Sequence, residues 1–377
     1  MSAVATPRST AAPGAVLPGS ETRAGAVAPV PLEHEDLVVH RGSRSGRYVI
    51  VAVHSTALGP ALGGVRLWHY PATTDAVRDA LRLARGMTSK AAAAGLGLGG
   101  GKGVICAPPH TSTGKERRDL LLDFGDLVES LGGRYITAED VGISPSDLVA
   151  IRERTEHVTG LPPERGGSGD PSPFTALGVE VAMRACALVR YGSPDLSGLR
   201  IVIAGLGHVG EKLALRLIER GAEVAVSDID PAKRQVAAEL GARWIEPDQE
   251  MVAECDILAP CALGGAIDAA NLPLLRCEIV CGCANNQLAD DSLAEALAAR
   301  DILYAPDFVV NAGGLIHVYK EVRGYGETRA RELVLGIERN LEGILRTAQE
   351  RAVTPLDAAR AVALERLQVA GEQPAAA

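Results

Sequence analysis

The chain has 377 residues, of which 47% are hydrophobic and 23% charged, with a formal net charge of −9. This length suggests about two domains, and the apolar content excludes a chain that is disordered throughout. No run of lysine and arginine exceeds two residues, which argues against a nucleic-acid partner because phosphate binding needs clustered cations. No stretch approaches the roughly 20 apolar residues of a membrane span, so no membrane association is expected.

The seven cysteines are odd in number and contain no Cys-x-x-Cys pair, which argues against a zinc ribbon or a thioredoxin-type site. We expect small, buried, reduced residues and therefore a cytoplasmic protein. His54, His69 and His317 have no metal-type spacing, and no metal site is predicted.

Residues 1–31 are built from Ala, Pro, Ser, Thr, Gly and Val without a helical or strand period. They lack the basic start and apolar core of a signal peptide and predict a disordered tail. A second break rich in Gly, Pro and Ser, at 160–173, predicts a crossover between two domains. We predict a first domain at 32–165, a second at 173–325, and C-terminal helices at 326–370 that return to the first domain.

The first domain is predicted to mix strands and helices. Its predicted elements are a strand at 47–54, a loop at 59–64, a helix at 75–87 with Thr74 as N-cap, a helix at 120–131 and a strand at 135–138.

Strands and helices alternate in the second domain, which predicts an α/β fold with a parallel, doubly wound sheet. The predicted strands of this domain are 200–204, 223–227, 256–259 and 278–281, and its predicted helices are 174–190 and 209–220. The C-terminal helices are predicted at 327–350 and 355–367.

The sequence Gly205-Leu206-Gly207-His208-Val209-Gly210 fits the pattern G-x-G-x-x-G between a predicted strand and helix. In that context the pattern indicates a Rossmann-type dinucleotide site: Gly205 makes the turn, Gly207 admits the pyrophosphate, and Gly210 packs the helix on the sheet. Asp228 ends the next strand, where a carboxylate binds the ribose hydroxyls and repels a 2′-phosphate. This favours NAD as cofactor, although the nearby Lys233 and Arg234 weaken the preference.

Lys102 follows a run of glycines but does not complete a Walker A motif, because Gly103 stands where Ser or Thr is required. The glycines predict a flexible loop that presents Lys102. Lys90 lies among alanines, and two lysines in such surroundings indicate either a shared cleft with lowered pKa values or two solvated side chains.

Taken together, these segments resemble the Glu/Leu/Phe/Val dehydrogenase family, and among its members the leucine and valine enzymes. The matching segments run in order: Gly59–Arg66, Ala80–Lys90, Gly99–Lys102, Thr137–Gly142, Ala259–Gly265, Ala284–Leu288 and Tyr304–Gly314.

The resemblance implies reversible NAD-dependent oxidative deamination of an L-amino acid to a 2-oxo acid and ammonia. Lys90 would bind the substrate carboxylate with the backbone of Gly63 and Gly64, Lys102 would be the catalytic lysine, and Asp140 would exchange protons with the amino group. The resemblance also implies a homo-oligomer, either a dimer or an octamer.

On the cofactor side, the resemblance implies that Thr175 contacts the nicotinamide carboxamide. Ala262 and Asn285 would lie along the nicotinamide, and Asn286 would also approach the substrate. Asn311 would lie near the hinge. His208 and Val209 complete the fingerprint, and His208 replaces the more usual asparagine.

The substrate side chain would be enclosed by Leu62, Ala138, Leu315 and Val318. All four are apolar, which disfavours glutamate because its carboxylate would lose hydration without a partner. Ala138 and the Gly63–Gly64 pair favour a branched aliphatic side chain, whereas Val318-Tyr319 is similar to cyanobacterial tryptophan dehydrogenases.

Three alternatives remain open from the sequence. One is the same reaction on an aromatic amino acid. Another is a non-catalytic dinucleotide-binding regulator, which the presence of both Lys102 and Asp140 disfavours. The third is a 2-hydroxy-acid dehydrogenase, for which no histidine, carboxylate and arginine trio is evident.

Overall fold

The structure is a computed structural model that describes residues 32–108 and 113–372. The predicted disordered tail at 1–31 lies outside the described residues.

The first domain is built on a mixed sheet of five strands among the described residues. The strands lie in the order β1-β2-β4-β3-β5, with β1, β2 and β4 antiparallel and β4, β3 and β5 parallel. Its elements are β1 (Asp36–Arg41), β2 (Tyr48–Ser55), β3 (Ala61–Trp68), α1 (Thr73–Ala93), β4 (Gly99–Cys106), α2 (Gly114–Ser130), β5 (Tyr135–Glu139) and α3 (Pro145–Arg152).

Two segments predicted as loops are strands. Gly63 and Gly64 lie inside β3, and the glycines before Lys102 form the start of β4. The glycines serve close packing rather than flexibility: a Cβ on Gly100 would lie 2.1 Å from the backbone nitrogen of Thr88 in α1. Helix α1 therefore lies directly on β4, and a flexible loop is excluded at Lys102.

Helix α1 is longer than predicted. It begins at Thr73, so Thr74 lies within its first turn; the N-cap is Ala72, without a side-chain hydrogen bond. The prediction of Thr74 as N-cap was wrong. The helix continues to Ala93 because Ala91, Ala92 and Ala93 are buried, and this extension places Lys90 on a rigid helical turn.

The second domain contains a parallel sheet of six described strands in the order β11-β10-β9-β6-β7-β8. Its strands are β6 (Arg200–Ala204), β7 (Glu223–Ser227), β8 (Arg243–Trp244), β9 (Ile257–Pro260), β10 (Ile279–Val280) and β11 (Leu303–Tyr304). Its helices are α4 (Ser172–Tyr191), α5 (His208–Glu219), α6 (Lys233–Leu240), α7 (Leu293–Ala299), α8 (Asp307–Val310) and α9 (Gly313–Arg323). The strand order reverses between β6 and β9, which is the crevice where doubly wound folds bind ligands. The predicted two-domain α/β fold is confirmed.

Helix α4 is long and apolar enough to cross a membrane by composition alone, but 72% of its apolar window is buried inside the protein. Its buried Glu180 forms ion pairs with Arg216 at 2.5 Å and with Arg220 at 2.9 Å, both from α5. It is therefore a core helix.

Helices α10 (Glu327–Arg351) and α11 (Pro355–Glu372) end the described chain. Asn340 donates to the carbonyl of Ala93 at 2.6 Å, and Arg366 donates to the carbonyls of Ala92 and Ala93 at 2.8 and 2.7 Å. These bonds satisfy carbonyls that the end of a helix otherwise leaves free. The C-terminal helices thus return to the first domain, as predicted.

Candidate active site

Lys102 and Asp140 form a largely buried ion pair in the first domain. Lys102 lies in β4, and Asp140 follows β5 directly. Lys102 Nζ donates to Asp140 Oδ2 at 2.6 Å, and the side chains are 6% and 24% exposed. The structure thus brings together the two residues to which the resemblance gives the proton chemistry.

The surroundings lower the pKa of both Lys102 and Asp140. Burial alone would raise the pKa of Asp140, but the Lys102 and Arg66 cations outweigh it and hold that pKa below its usual value. Burial also lowers the pKa of Lys102, and this effect exceeds the opposing attraction of Asp140. A carboxylate that stays ionised is available to accept a proton, and a lysine that gives up its proton more readily can exchange one.

Lys90 is half-buried on the face of α1 that points toward this pair. Burial lowers its pKa to about 8, which the Asp307 carboxylate opposes and the Lys102 cation reinforces. Within residues 32–108 and 113–372, the Lys90 side chain makes no hydrogen bond or ion pair, whereas its carbonyl accepts from the amide of Ala94. A half-buried cation without a partner is suited to bind an anionic group of a ligand.

Arg66 and Asp307 also belong to this region, although no role was predicted for either residue from the sequence. Arg66 Nε donates to Asp140 Oδ2 at 3.1 Å. Asp307 is buried, and burial raises its pKa. Arginine in the middle of a buried strand was the available signal for Arg66; Asp307 acquires its place only through the tertiary fold.

The residues assigned to substrate contacts lie on three elements. Gly63 and Gly64 are beside Thr137 and Ala138 of β5 in the strand register. Leu62 and Leu315 are buried in one apolar cluster, and Val318 packs against that cluster. Ala138 is buried next to Gly64.

The glycine-rich turn after β6 has the geometry that a dinucleotide requires. Gly205 has a φ of +112°, and a Cβ there would lie 2.7 Å from the nitrogen of Ala262. A Cβ on Gly210 would lie 2.0 Å from the carbonyl oxygen of Gly205, so the start of α5 packs tightly on the turn. Gly207 faces open space and caps α5, leaving helix N-terminal amides accessible to a phosphate.

Asp228 lies just after β7 and next to this turn. Its Oδ2 accepts from the amide of Leu206 at 2.7 Å, and its Oδ1 accepts from Asp230 at 2.9 Å. The carboxylate therefore fixes the turn. His208, the first residue of α5, is exposed, and Val209 is half-buried.

The remaining cofactor-side residues surround the ends of β9 and β10. Asn311 Nδ2 donates to Asn285 Oδ1 at 2.8 Å, while the oxygen of the Asn311 side chain is buried without a hydrogen-bond partner. Asn286 has a φ of +52°, and its amide donates to Asp307. Asp307 links this loop to Lys90 through their electrostatic interaction.

Thr175 lies in the first turn of α4, and its hydroxyl donates to the carbonyl of Pro171 at 3.1 Å. A Cβ on Gly314 would lie 2.8 Å from that hydroxyl, so Thr175 and the Asn-Ala-Gly-Gly segment are neighbours.

Among the described residues, no three His, Cys, Asp or Glu side chains cluster as a metal site would require. The seven cysteines are free; four are buried and Cys106, Cys261 and Cys283 are partly buried.

This geometry agrees with comparisons against known proteins. Residues 37–157 match the Glu/Leu/Phe/Val dehydrogenase dimerisation domain, and residues 229–374 match the Glutamate/Leucine/Phenylalanine/Valine dehydrogenase family. The chain belongs to this family. It is an amino-acid dehydrogenase that uses a nicotinamide cofactor.

Three similar proteins carry different substrate names. The chain is 44% identical to leucine dehydrogenase of Bacillus subtilis (strain 168), covering 89% of this chain and 92% of that one. It is 43% identical to valine dehydrogenase of Streptomyces virginiae, covering 89% and 94%. The crystal structure of L-tryptophan dehydrogenase from Nostoc punctiforme superposes with a TM-score of 0.80 at 40% identity, covering 90% and 98%.

Proposed function

We propose that this amino-acid dehydrogenase catalyses reversible, NAD-dependent oxidative deamination of an L-amino acid with a branched aliphatic side chain. Leucine, valine and isoleucine are the candidate substrates. The observation that carries the chemistry is the Lys102–Asp140 ion pair near Lys90, a half-buried cation whose side chain has no hydrogen bond or ion pair among the described residues. Similarity to leucine and valine dehydrogenases supports the aliphatic class.

Each charged group has one task in this proposal. Lys90 binds the substrate carboxylate, with the backbone at Gly63 and Gly64 beside it. Asp140 takes a proton from the substrate ammonium, which must be neutral before its Cα–H can leave as hydride. Lys102 then activates water for attack on the imine carbon and stabilises charge on the carbinolamine. Ammonia leaves, and a 2-oxo acid remains.

The nucleotide turn fits NAD. Bound NAD supplies the hydride acceptor. Gly207 and the N-terminus of α5 would hold the pyrophosphate, and Asp228 would bind the ribose and disfavour a 2′-phosphate. Thr175, Ala262 and Asn285 would lie along the nicotinamide, with Asn286 between nicotinamide and substrate.

The side-chain pocket supports an apolar substrate. Leu62, Ala138 and Leu315 are buried and Val318 is partly buried, so a substrate carboxylate there would lose hydration without compensation. A second candidate is an aromatic amino acid such as tryptophan or phenylalanine. The similarity to L-tryptophan dehydrogenase favours it, together with the Val318–Tyr319 pair.

The deciding experiment is NAD reduction with a panel of L-amino acids, compared as kcat/KM, with NADP as a parallel cofactor. A preference for leucine, valine or isoleucine over tryptophan, phenylalanine and glutamate supports the proposal. A preference for an aromatic amino acid selects the second candidate. NAD binding without turnover of any amino acid contradicts both.

We further assign residues 32–165 to substrate binding and oligomerisation, 173–325 to NAD binding, and 326–370 to the returning helices. A homo-oligomer, dimer or octamer, would form through the first domain, in accord with the match to a dimerisation domain. A cytoplasmic location is part of the same proposal. Sedimentation analysis would give the stoichiometry.

A further inference from the structure

We propose that Arg66 is a positioning residue that holds Asp140 in place and keeps it ionised for proton transfer. This inference rests on the proposed function, in which Asp140 is the proton acceptor. Arg66 lies in β3, the strand between β4 and β5, and its Nε donates to Asp140 Oδ2.

The geometry at Asp140 is asymmetric. A single oxygen, Oδ2, accepts from Lys102 Nζ at 2.6 Å and from Arg66 Nε at 3.1 Å. Both bonds are charge-assisted, and two donors on one oxygen fix the rotamer of the carboxylate. The Oδ1 oxygen makes neither of these two bonds.

Arg66 is itself held at its other end. Its guanidinium donates to Asp79 Oδ2 at 2.9 Å, and Tyr70 donates to the same oxygen at 2.7 Å. Asp79 belongs to α1, the helix that carries Lys90. The guanidinium therefore connects the helix that binds the substrate carboxylate with the residue that takes the substrate proton.

The charge of Arg66 acts on both proton-transfer groups. Its cation lowers the pKa of Asp140 and also lowers that of Lys102. Removing the cation should therefore raise both pKa values together. The other ionisable groups that face this cluster are Lys90, Asp79, Tyr70, Tyr135 and Glu139.

The test compares kcat/KM against pH for the wild type, Arg66→Gln, Arg66→Lys and the control Arg82→Gln. Arg82 donates to Asp79 Oδ1 at 2.9 Å but is more than half exposed and makes no contact with Asp140. The ionisation of the substrate itself is identical in all four proteins, so any shift between them belongs to the enzyme.

In Arg66→Gln, both limbs of the profile should move to higher pH by about one unit, since a charge this close shifts a pKa by at least that amount. Arg66→Lys should keep the limbs near their wild-type positions and lose roughly tenfold in kcat, because one ammonium cannot bridge two carboxylates in the way a guanidinium does. Arg82→Gln should leave both limbs in place.

If the maximum of kcat/KM falls in Arg66→Gln but both limbs of its pH profile stay at the wild-type pH, Arg66 has only a structural role and the proposal is overturned. If Arg66→Gln does not fold, wild-type kcat in Arg66→Lys would overturn it instead. The pKa of Lys102 can also be measured without turnover. A small amine-reactive reagent modifies the lysine at several pH values, and peptide mass spectrometry records the extent of modification at Lys102. A wild type that deaminates no amino acid contradicts the proposed function; in that case this measurement still decides whether Arg66 shifts Lys102.

Discussion

The Lys102 amine is buried and lies 2.6 Å from the partly exposed carboxylate of Asp140. Removing two charges from water costs free energy, which indicates that the pair serves the reaction rather than stability. Lys102→Ala should therefore lower turnover by about 10²–10⁴-fold, the usual contribution of proton transfer, while NAD binding persists. Stopped-flow NADH formation measures the first effect and NADH fluorescence titration the second. Lys115→Ala is the control, since Lys115 is exposed and pairs only within α2, with Asp119. Turnover above a tenth of wild type would remove Lys102 from the mechanism.

The ionisation of Lys90 predicts how binding of a 2-oxo acid changes with pH. A lysine is charged below its pKa and neutral above it, and burial sets that of Lys90 at about 8. Binding of a 2-oxo acid to the enzyme with NADH should thus weaken as pH rises above about 8, approaching tenfold per unit. Quenching of NADH fluorescence at several pH values measures this binding. Lys90→Met should bind weakly with little pH dependence. Wild-type affinity in Lys90→Met would contradict the assigned contact.

The sequence was sufficient to single out Lys90, Lys102 and Asp140, because lysines among glycine and alanine are chemically unusual and the surrounding motifs repeat those of a family. It did not show that Lys90 lies near Asp307, since these residues are far apart along the chain and meet only when α1 packs beside α8. Arg66 was visible within a motif, yet its contact with Asp140 depends on the neighbouring register of β3 and β5.

At the level of elements, the glycines of β4 are explained by packing. A Cβ on Gly100 would meet the backbone and side chain of Thr88 at 2.1–2.5 Å, and backbone cannot move aside cheaply. Gly100→Ala should lower the free energy of unfolding by about 1–3 kcal/mol, the range for overpacked sites. Gly86→Ala in α1 meets nothing within 4 Å and should stabilise by up to about 1 kcal/mol. Urea denaturation of both variants tests this; equal stability of the two would contradict the packing argument.

Asp228 holds the nucleotide turn and is also the proposed ribose ligand, and substitution should affect both. Asp228→Ala removes the proposed ribose acceptor and also the acceptor for the Leu206 amide. NAD should bind more weakly and NADP should become a better substrate, because the repulsion of a 2′-phosphate is lost. The measurement is the ratio of kcat/KM for NAD and NADP. Glu254→Ala serves as control, since Glu254 is exposed and pairs with Arg200 at the start of β6, the end of that strand away from the turn. An unaltered ratio in Asp228→Ala would show that the carboxylate only holds the turn.

The second sheet was easier to predict than the first. Its strands β6 and β7 match the predicted bounds, because runs of apolar β-branched residues followed by a glycine turn and an amphipathic helix leave few alternatives. The first sheet misled sequence reasoning at β3 and β4, since glycine normally marks a loop. In β3 and β4, glycine instead marks positions where neighbouring elements pack too closely to leave room for a side chain.

At the scale of the whole molecule, helix α9 connects the two halves of the site. Glu321 accepts hydrogen bonds from the hydroxyl of Thr159 at 2.7 Å, just before the crossover, and from the amides of Gly160 at 3.0 Å and Ser168 within it. Tyr319 accepts from the amide of Gly97, in the turn between α1 and β4. The same helix contributes Leu315 and Val318 to the proposed substrate pocket.

Because Lys102 and Asp140 precede the crossover while the nucleotide turn follows it, we expect substrate and cofactor to meet across a cleft that must admit the substrate and then exclude water. We expect NAD with a 2-oxo acid to bring the two domains together, which small-angle scattering would record as a smaller radius of gyration. Glu321→Ala frees the crossover from α9 and should reduce this compaction and lower kcat, whereas Glu332→Ala, an exposed partner of Arg329 on α10, should change neither. No compaction of the wild type with both ligands at saturation would mean that the site is rigid and already formed, and the contacts of Glu321 would then serve stability alone.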